Sequence, residues 1–472
     1  MIVKTVDGNE ACARSAYIFS DIAGIYPITP SSTMAEYVDE FSSKKIKNIF
    51  NEPVKVVEMQ SEAGAAGFVH GALSNGSIAT TFTASQGLLL MIPNMYKIAG
   101  EMLPCVINVA ARSIATHALS ILGDHQDVYA IRPTGFAIMA SSSVQSVSDL
   151  TIVSYLSSLK SSLPFVNFFD GFRTSHELSK INILEKEDIE DIIDYKKINE
   201  FRNRGLSINN KVKGTAMMED VYFQMSEVRN KDYDKLPDIV NDYMKKINKK
   251  TGKSYAPFEY YGSKKASKVI VAMGSVCETI REVIDDLNGD IGLIEVHLYR
   301  PFSKKYFFDV LPKTVTKIAV LDRTKEPGSV GEPLYLDVVS MFACKDSSPL
   351  IFGGRYGLSS KDTNPAHIKA VYDFLDDKPF NGFTVGIEDD VTNLSIKVDD
   401  YVTNLDSKEF LVYGYGSDGM VSASKDIIKI IGDNTKEYVQ GYFQYDSKKS
   451  GGITRSHIRI SDKVIRSAYY IN

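Results

Sequence analysis

The 472-residue sequence contains no tryptophan and only four cysteines, Cys12, Cys105, Cys277 and Cys344. The cysteines are scattered, and no two of them form a Cys-x-x-Cys pair. That spacing argues against structural zinc, an iron–sulfur cluster and a disulfide framework within this chain. Because so few dispersed thiols are typical of a reducing compartment, we expect a cytoplasmic location.

Long apolar runs and an excess of charge of one sign are also missing. No run reaches the roughly 20 apolar residues that a membrane-spanning helix needs, and the first residues lack the charged-then-apolar pattern of a signal sequence. The net charge of -5 gives no electrostatic reason to expect nucleic acid or an anionic membrane as a partner. The length predicts two to four domains, at roughly 150 residues per domain.

Apolar strand patterns alternate with helical patterns along most of the chain, which predicts an α/β fold with parallel sheets covered on both faces. We predict a first block at 1–256 and a second at 257–404. A third block at 405–472 is too short to complete a domain of this type. Within the first block, the lysine-rich stretch 235–250 is predicted to be a solvated helix face.

The segment 57–71 reads as the end of a strand followed by a helix, with Ser61 as N-cap and Glu62 in the first turn. The helix is poor in packing mass, since it contains three glycines that each cost roughly 1 kcal/mol relative to alanine. Such a helix is useful where another backbone or a flat ligand must approach closely. Glu62 then points into a cleft, although complementing the helix dipole is an equally simple role for it.

Two further candidates, Thr29 and Arg112, also lie where predicted strands end. Ligands in parallel sheets bind beyond the carboxyl ends of the strands, so these residues and Glu62 are expected to meet there. A guanidinium matches a carboxylate in a two-pronged geometry, which favours a carboxylate-bearing substrate. The alternatives are structural: an arginine that closes a strand, and a threonine that forms a turn beside Pro30.

His117 and His125, with Asp124 and Asp127, resemble metal ligands only superficially. The histidines are eight residues apart in a loop, which defines no coordination geometry. We therefore expect no metal site in this chain.

Two glycine-rich turns near the C-terminus suggest an anionic ligand. Residues 414–419 have the spacing Gly-x-Gly-x-x-Gly between a strand and a helix, an arrangement that can cradle phosphate. The motif is weak alone, because Asp418 is not at the distance expected of a ribose-binding acid. The second turn, 446–452, contains Lys448 and Lys449, for which a solvated turn is the alternative.

Seven runs together resemble the pyruvate:ferredoxin (flavodoxin) oxidoreductase family, a family of thiamine diphosphate enzymes, from end to end of the chain. The runs are 26–32 (YPITPSS), 58–67 (EMQSEAGAAG), 81–87 (TFTASQG), 123–127 (GDHQD), 169–176 (FDGFRTSH), 321–328 (LDRTKEPG) and 445–454 (YDSKKSGGIT). The resemblance implies a transketolase-like, doubly wound pyrimidine-binding domain, a transketolase C-terminal-like α/β domain, and the start of a coenzyme A-binding α/β domain.

The same resemblance implies roles for individual residues. Glu62 would hold the N1′ nitrogen of the aminopyrimidine ring, Arg112 would grip the pyruvate carboxylate, and Thr29 would hydrogen-bond the substrate. The residues that match the family's coenzyme A contacts are Gly416, Ser417, Asp418, Gly419, Met420 and Lys448.

The family's usual single-chain form continues beyond the matched region, with iron–sulfur cysteines and a second thiamine domain. We therefore expect this chain to be an N-terminal part that is inactive alone. Magnesium, [4Fe–4S] clusters and diphosphate binding would lie on the missing part or on a separate subunit.

The implied reaction converts pyruvate and coenzyme A to acetyl-coenzyme A and carbon dioxide and reduces ferredoxin or flavodoxin, in a homodimer. The alternatives are another 2-oxoacid oxidoreductase, or a non-catalytic remnant that binds coenzyme A or a partner subunit. A location in a hydrogenosome-like organelle is an alternative to the cytoplasm.

Overall fold

A computed structural model describes residues 1–209, 216–343, 345, 347–446 and 451–471. It is a mixed α/β structure with parallel sheets, which confirms the predicted fold class. The strands are β1 Ile2–Val6, β2 Ile22–Ile25, β3 Lys55–Glu58, β4 Ala79–Thr83, β5 Val106–Ala111, β6 Ala137–Ser141, β7 Phe165–Asp170, β8 Leu178–Ile183, β9 Phe258–Gly262, β10 Lys268–Ala272, β11 Ile291–Val296, β12 Leu298–Arg300, β13 Lys317–Asp322, β14 Leu350–Arg355, β15 Phe383–Thr384, β16 Lys408–Tyr415, β17 Tyr438–Tyr445 and β18 Ile453–Ser461.

The helices connect these strands in chain order. They are α1 Gly8–Phe19, α2 Ser32–Ser43, α3 Glu62–Ser74, α4 Ser85–Gly100, α5 Gln126–Ala130, α6 Val144–Ser161, α7 Lys186–Ile189, α8 Tyr195–Arg202, α9 Leu206–Asn209, α10 Glu219–Glu227, α11 Asn230–Thr251, α12 Val276–Leu287, α13 Lys304–Val310, α14 Pro333–Phe342, α15 Pro365–Phe374 and α16 Met420–Asn434. Two short 3₁₀ turns lie at Glu190–Ile192 and Leu358–Ser360.

The first sheet positions the candidate site. Its order is β12-β6-β7-β5-β4-β2-β3, and every neighbouring pair is parallel except β12 with β6. Every residue of β4, β5, β6 and β7 is buried, as expected of parallel strands that are covered by helices on both faces. Consequently, the carboxyl ends of β2, β3, β4 and β5 lie side by side at one edge.

The second sheet has the order β15-β14-β13-β10-β11-β9 and is parallel apart from β9. Its core is a cluster of apolar side chains from β10, β11, α12 and α15, which includes Ile270, Ile280, Leu293 and Val371. This sheet begins at Phe258, close to the predicted block boundary at 257.

The third sheet joins the beginning of the chain to its end. Its order is β1-β8-β17-β18-β16, and all its pairs are antiparallel. The strands of the third block therefore extend a sheet that starts with strands of the first block. Local sequence patterns did not predict this pairing. The division of the chain at 256 and 404 stays a prediction.

The lysine-rich helix α11 differs from its predicted form. Its lysines are on the outer side, but Leu236, Val240, Met244 and Ile247 are buried where the helix packs against α6. The solvated lysine face is therefore as predicted, whereas the buried face on the other side of the helix was not predicted. None of the helices in the described ranges combines the length and the apolar character needed to cross a membrane.

Candidate active site

Four loops leave the first sheet side by side and carry the candidate residues. Thr29 follows β2 and is exposed, and Glu62 begins α3 after β3. Ser85 begins α4 after β4, and Arg112 directly follows β5. Since β3, β2, β4 and β5 are consecutive neighbours, the fold places the three predicted site residues at one edge, as the rule for parallel sheets requires.

Glu62 is buried at the start of its helix, with 8 % of its surface exposed. Ser61 caps the helix as predicted, because its Oγ accepts a hydrogen bond of 3.1 Å from the Gly64 amide. The Glu62 carboxylate itself has no hydrogen-bond partner among the described residues. Its oxygen atoms are not among the fully buried atoms that lack a partner, so they can be reached and can accept from a donor that is not part of this chain.

The space beside Glu62 depends on a glycine in the first turn of α4. A Cβ at Gly87 would lie 2.8 Å from Glu62 Oε1 and 2.6 Å from Thr83 Oγ1, closer than real side chains come. Glycine at this position therefore lets the carboxylate occupy the cleft between α3 and α4.

Arg112 and Thr29 are in direct contact. The Arg112 guanidinium donates from Nη1 to the backbone oxygen of Thr29 over 2.8 Å and from Nε to that of Ser120 over 3.2 Å. Burial lowers the pKa of Arg112, and the nearby Asp127 carboxylate opposes that shift. Arg112 as a whole is 6 % exposed. Its Nη2 group remains available to donate to a further acceptor.

The residues that superficially resemble metal ligands have protein partners instead. Asp124 accepts hydrogen bonds from Ser113 Oγ and the Gln126 amide, and His125 Nε2 lies 2.6 Å from Asp170 Oδ1. Asp127 binds backbone amides. His117 is exposed. Across the described ranges, no three His, Cys, Asp or Glu side chains are arranged to hold a metal ion.

Asp170 fastens the second sheet to the first, a role that sequence reasoning did not assign. Its carboxylate accepts from the Ser275 amide over 2.8 Å and pairs with Arg323 Nη1 over 2.8 Å. Burial disfavours the charge, but Arg323 and His125 outweigh it and hold the pKa well below the usual range of a carboxyl. The charge therefore persists in a fully buried site.

The third block meets the same loop through Arg173. This arginine pairs with Asp362 over 2.8 Å, and its guanidinium lies 4.9 Å and 4.1 Å from the ring centroids of Tyr442 and Tyr470. The loop after β7 thus contacts all three blocks. In the sequence, the run 169–176 indicated the family resemblance but not this structural role.

The glycine-rich turn between β16 and α16 is exposed and internally bonded. The Asp418 carboxylate accepts hydrogen bonds from the amides of Tyr415 at 2.7 Å and Met420 at 2.9 Å. The Gly416 amide donates to the Gly452 oxygen over 2.7 Å, so the two predicted glycine-rich turns are adjacent. A phosphate that bound here would compete with Asp418 for two amides. Lys448 lies outside the described residues.

Three family models match the chain in succession. The model described as pyruvate flavodoxin/ferredoxin oxidoreductase, thiamine diphosphate-binding, matches residues 14–245. Pyruvate:ferredoxin oxidoreductase core domain II matches 266–368, and pyruvate ferredoxin/flavodoxin oxidoreductase matches 409–472.

Curated relatives match over almost the whole chain. It is 54 % identical to a pyruvate-flavodoxin oxidoreductase of Enterobacter agglomerans over 100 % of this chain and 41 % of the relative. It is also 54 % identical to the pyruvate:ferredoxin oxidoreductase of Moorella thermoacetica, over 99 % of this chain and 41 % of that protein. The chain therefore spans about two fifths of the length of these relatives.

A solved structure shares the fold. The 2-oxoglutarate:ferredoxin oxidoreductase from Magnetococcus marinus, determined with 2-oxoglutarate, coenzyme A and succinyl-CoA bound, superposes with a TM-score of 0.58. The match covers 79 % of this chain and 65 % of that chain at 16 % identity, so it shows the fold alone.

Proposed function

This chain belongs to the pyruvate:ferredoxin (flavodoxin) oxidoreductase family, and from that premise we propose that it forms the pyrimidine-binding, substrate-gripping and coenzyme A-binding part of such an enzyme. The reaction converts pyruvate and coenzyme A to acetyl-coenzyme A, carbon dioxide and a proton, and two electrons pass to ferredoxin or flavodoxin. The observation that carries the proposal is the buried Glu62 carboxylate, which lacks a partner in the described chain and lies at the same sheet edge as Arg112 and Thr29.

Glu62 fits the pyrimidine half of thiamine diphosphate. The unpartnered carboxylate needs a donor, and a protonated ring nitrogen supplies one. The glycine of α4 that faces it lets the carboxylate stay in the cleft between α3 and α4. In this role Glu62 shares a proton with the N1′ nitrogen. When bound, the cofactor supplies the carbon nucleophile that attacks the 2-oxoacid carbonyl.

Arg112 and Thr29 fit the substrate. Two backbone oxygens hold the Arg112 side chain in place before a substrate binds. Its remaining N–H groups are therefore already oriented, and no side-chain freedom is lost on binding. The Thr29 hydroxyl is exposed beside it and can donate to a carboxylate or keto oxygen. Both residues bind and orient the 2-oxoacid, and neither has to exchange a proton.

The outer side of α3 fits a second polypeptide surface. Ala63, Gly67 and Gly71 are exposed at four-residue spacing, and a Cβ at either glycine would meet nothing within 4 Å. Exposed Leu90 and Tyr96 lie on the neighbouring helix α4. We assign this face to the module that binds the diphosphate through magnesium, supplied by the part of the relatives that this chain does not match.

The turn at 416–420, with Lys448, is assigned to coenzyme A. Its support is the match of 409–472 to the family model and the adjacency of the two glycine-rich turns. Ferredoxin or flavodoxin, the [4Fe–4S] clusters and the homodimer belong to the proposed complete enzyme.

The experiment is reconstitution. The chain is combined with a polypeptide that covers the remaining residues of the Moorella relative, and acetyl-coenzyme A formation and ferredoxin reduction are measured with pyruvate, 2-oxobutyrate and 2-oxoglutarate. We expect activity only with both polypeptides and fastest with pyruvate. Faster turnover of another acid would assign the chain to a different 2-oxoacid oxidoreductase. Robust ferredoxin reduction by the isolated chain, or none in a stable complex, would contradict the proposal.

A further inference from the structure

We propose that Asp127 is a positioning residue, whose buried carboxylate fixes Arg112 and the first turn of α4 relative to each other and thereby sets the affinity for the 2-oxoacid. The inference rests on the proposed function of Arg112. Asp127 is not part of the substrate-binding set itself, because it is fully buried.

One oxygen atom of Asp127 joins two loops. Its Oδ2 accepts a hydrogen bond of 2.7 Å from the Ser85 amide and one of 3.0 Å from the Arg112 amide. Ser85 follows β4 and Arg112 follows β5, two strands that are paired up to Thr83 and Val109. Ser85 and Arg112 lie two and three residues beyond that last pair, so their buried amides need an acceptor other than the β4–β5 ladder. Asp127 provides it.

The first turn of α4 has a conformation that needs such support. Ser85 has a φ of 51°, an unusual value for a residue with a side chain. Its amide is held by Asp127, and its hydroxyl donates to the Ser113 oxygen, next to Arg112. The same turn contains Gly87, which faces Glu62. Asp127 therefore lies between the substrate-binding and the cofactor-binding halves of the site.

Asp127 is itself held in place by contacts in its own segment of the chain and at the junction with the second block. Its Oδ1 accepts from the Val128 amide over 2.7 Å. His125, two residues before it, is fixed by Asp170 and by a hydrogen bond of 2.9 Å from its amide to the Arg323 oxygen in the second block. The position of the Asp127 carboxylate at the edge of the sheet therefore depends on the contacts between the first and second blocks.

The carboxyl group of Asp127 has two acceptor oxygens, one for the Ser85 and Arg112 amides and one for the Val128 amide. Burial raises its pKa to about 7, and the three amides oppose that shift. An asparagine has one acceptor oxygen and one NH₂ group, so at this position the NH₂ group must face either Val128 or the pair of Ser85 and Arg112 amides. Each orientation brings donors together and leaves at least one buried amide without an acceptor. Leaving a buried amide without an acceptor corresponds to a change of about tenfold in an equilibrium constant.

The experiment compares Asp127→Asn with Asp149→Asn. Asp149 is a matched control, because it is also a fully buried carboxyl in the first block but is held by Tyr255 Oη at 2.9 Å and Gln145 Nε2 at 3.0 Å, outside the site. In the isolated chain we expect Asp127→Asn alone to accelerate hydrogen exchange at least tenfold at the amides that its NH₂ group faces, which are either that of Val128 or those of Ser85 and Arg112. In the reconstituted enzyme we expect it to raise the KM for pyruvate about tenfold, with kcat falling less than threefold.

Unchanged exchange at all three amides (Ser85, Arg112 and Val128), an unchanged KM, or the same change in the Asp149 variant would overturn the inference. If Asp127→Asn does not fold, Asp127→Glu replaces it: this variant keeps the charge but displaces it by one methylene, and we expect the same rise in KM. An unchanged KM in folded Asp127→Glu overturns the inference as well. A reconstituted enzyme without any 2-oxoacid activity would refute the proposed function, whereas the amide exchange would still decide whether Asp127 joins the two loops.

Discussion

Nη1 of Arg112 and the backbone oxygen of Thr29 are 2.8 Å apart, although the residues are 83 positions apart in the chain. The contact crosses the end of β4, which lies between the two strands that carry these residues. It shows that the loops after β2 and β5 form one surface. It also shows that the arginine uses the threonine's main chain as an anchor and leaves the hydroxyl available.

Replacing Arg112 by lysine tests the two-pronged grip. Lysine cannot bond the Thr29 and Ser120 oxygens and a carboxylate in one fixed plane. We expect Arg112→Lys to raise the KM for pyruvate by about 10- to 100-fold in the reconstituted enzyme. Arg132→Lys is the control, because Arg132 pairs with Glu326 at the surface. Equal KM values for the two variants would contradict the assignment.

Gly87→Ala tests the space beside Glu62. The added Cβ would displace the Glu62 carboxylate, and a displacement of about 1 Å in a catalytic group costs on the order of 100-fold in rate. We expect kcat to fall accordingly and the melting temperature of the isolated chain to fall as well. Gly67→Ala in α3 meets nothing within 4 Å and should stabilise the isolated chain by about 0.5–1 kcal/mol. A Gly87→Ala variant with normal turnover would show that this contact is unimportant.

Asp170→Asn tests the junction between the first two sheets. The substitution leaves the buried Arg323 without its counter-charge, and breaking a buried pair in this way costs roughly 3–5 kcal/mol. Urea denaturation of the isolated chain measures the loss. Asp376→Asn removes an ion pair to Lys268 whose aspartate is 63 % exposed, and should change the free energy of unfolding by less than about 1 kcal/mol. Similar losses in both variants would contradict the account of the junction.

The stability of the first block should fall as the pH rises, in part because of Asp149. Burial raises its pKa from 3.8 to about 7, so the folded chain binds this proton more tightly than the unfolded chain. The free energy of unfolding that depends on Asp149 is therefore highest below about pH 4 and is lost as the pH rises through 7. Between pH 5 and 8, Asp149→Asn should lose roughly 2–3 kcal/mol less stability than the wild type in urea titrations. Identical losses would show that Asp149 ionises normally.

Much of the fold follows from local sequence patterns. The alternation of strand and helix patterns predicted parallel sheets, and Ser61 was predicted as the cap of the helix that Glu62 begins; the structure confirms both. Periodicity reports which face of an element is buried, and it does so without knowledge of the partner. It says nothing about which strands pair, so the sheet that joins β1 and β8 to β17 had no local signal. The buried face of α11 was missed because its lysines dominate the composition.

The candidate site was predicted through strand ends and resemblance, and its supports were not. Asp127 and Asp170 act through residues distant in sequence, so their spacing carried no signal. Asp127 and Asp170, whose neighbours resemble metal ligands only superficially in the sequence, hold backbone amides and an imidazole in the fold.

The most direct test concerns the proton at thiazolium C2 of thiamine diphosphate in the reconstituted enzyme. NMR measures its exchange with deuterium for the wild type, Glu62→Gln and Glu58→Gln; Glu58 is the exposed glutamate at the end of β3, in the same run of sequence. If Glu62 shares a proton with N1′, Glu62→Gln should slow the exchange by about 100-fold or more, and Glu58→Gln should leave it unchanged. Exchange at the wild-type rate in Glu62→Gln with bound cofactor would contradict the account.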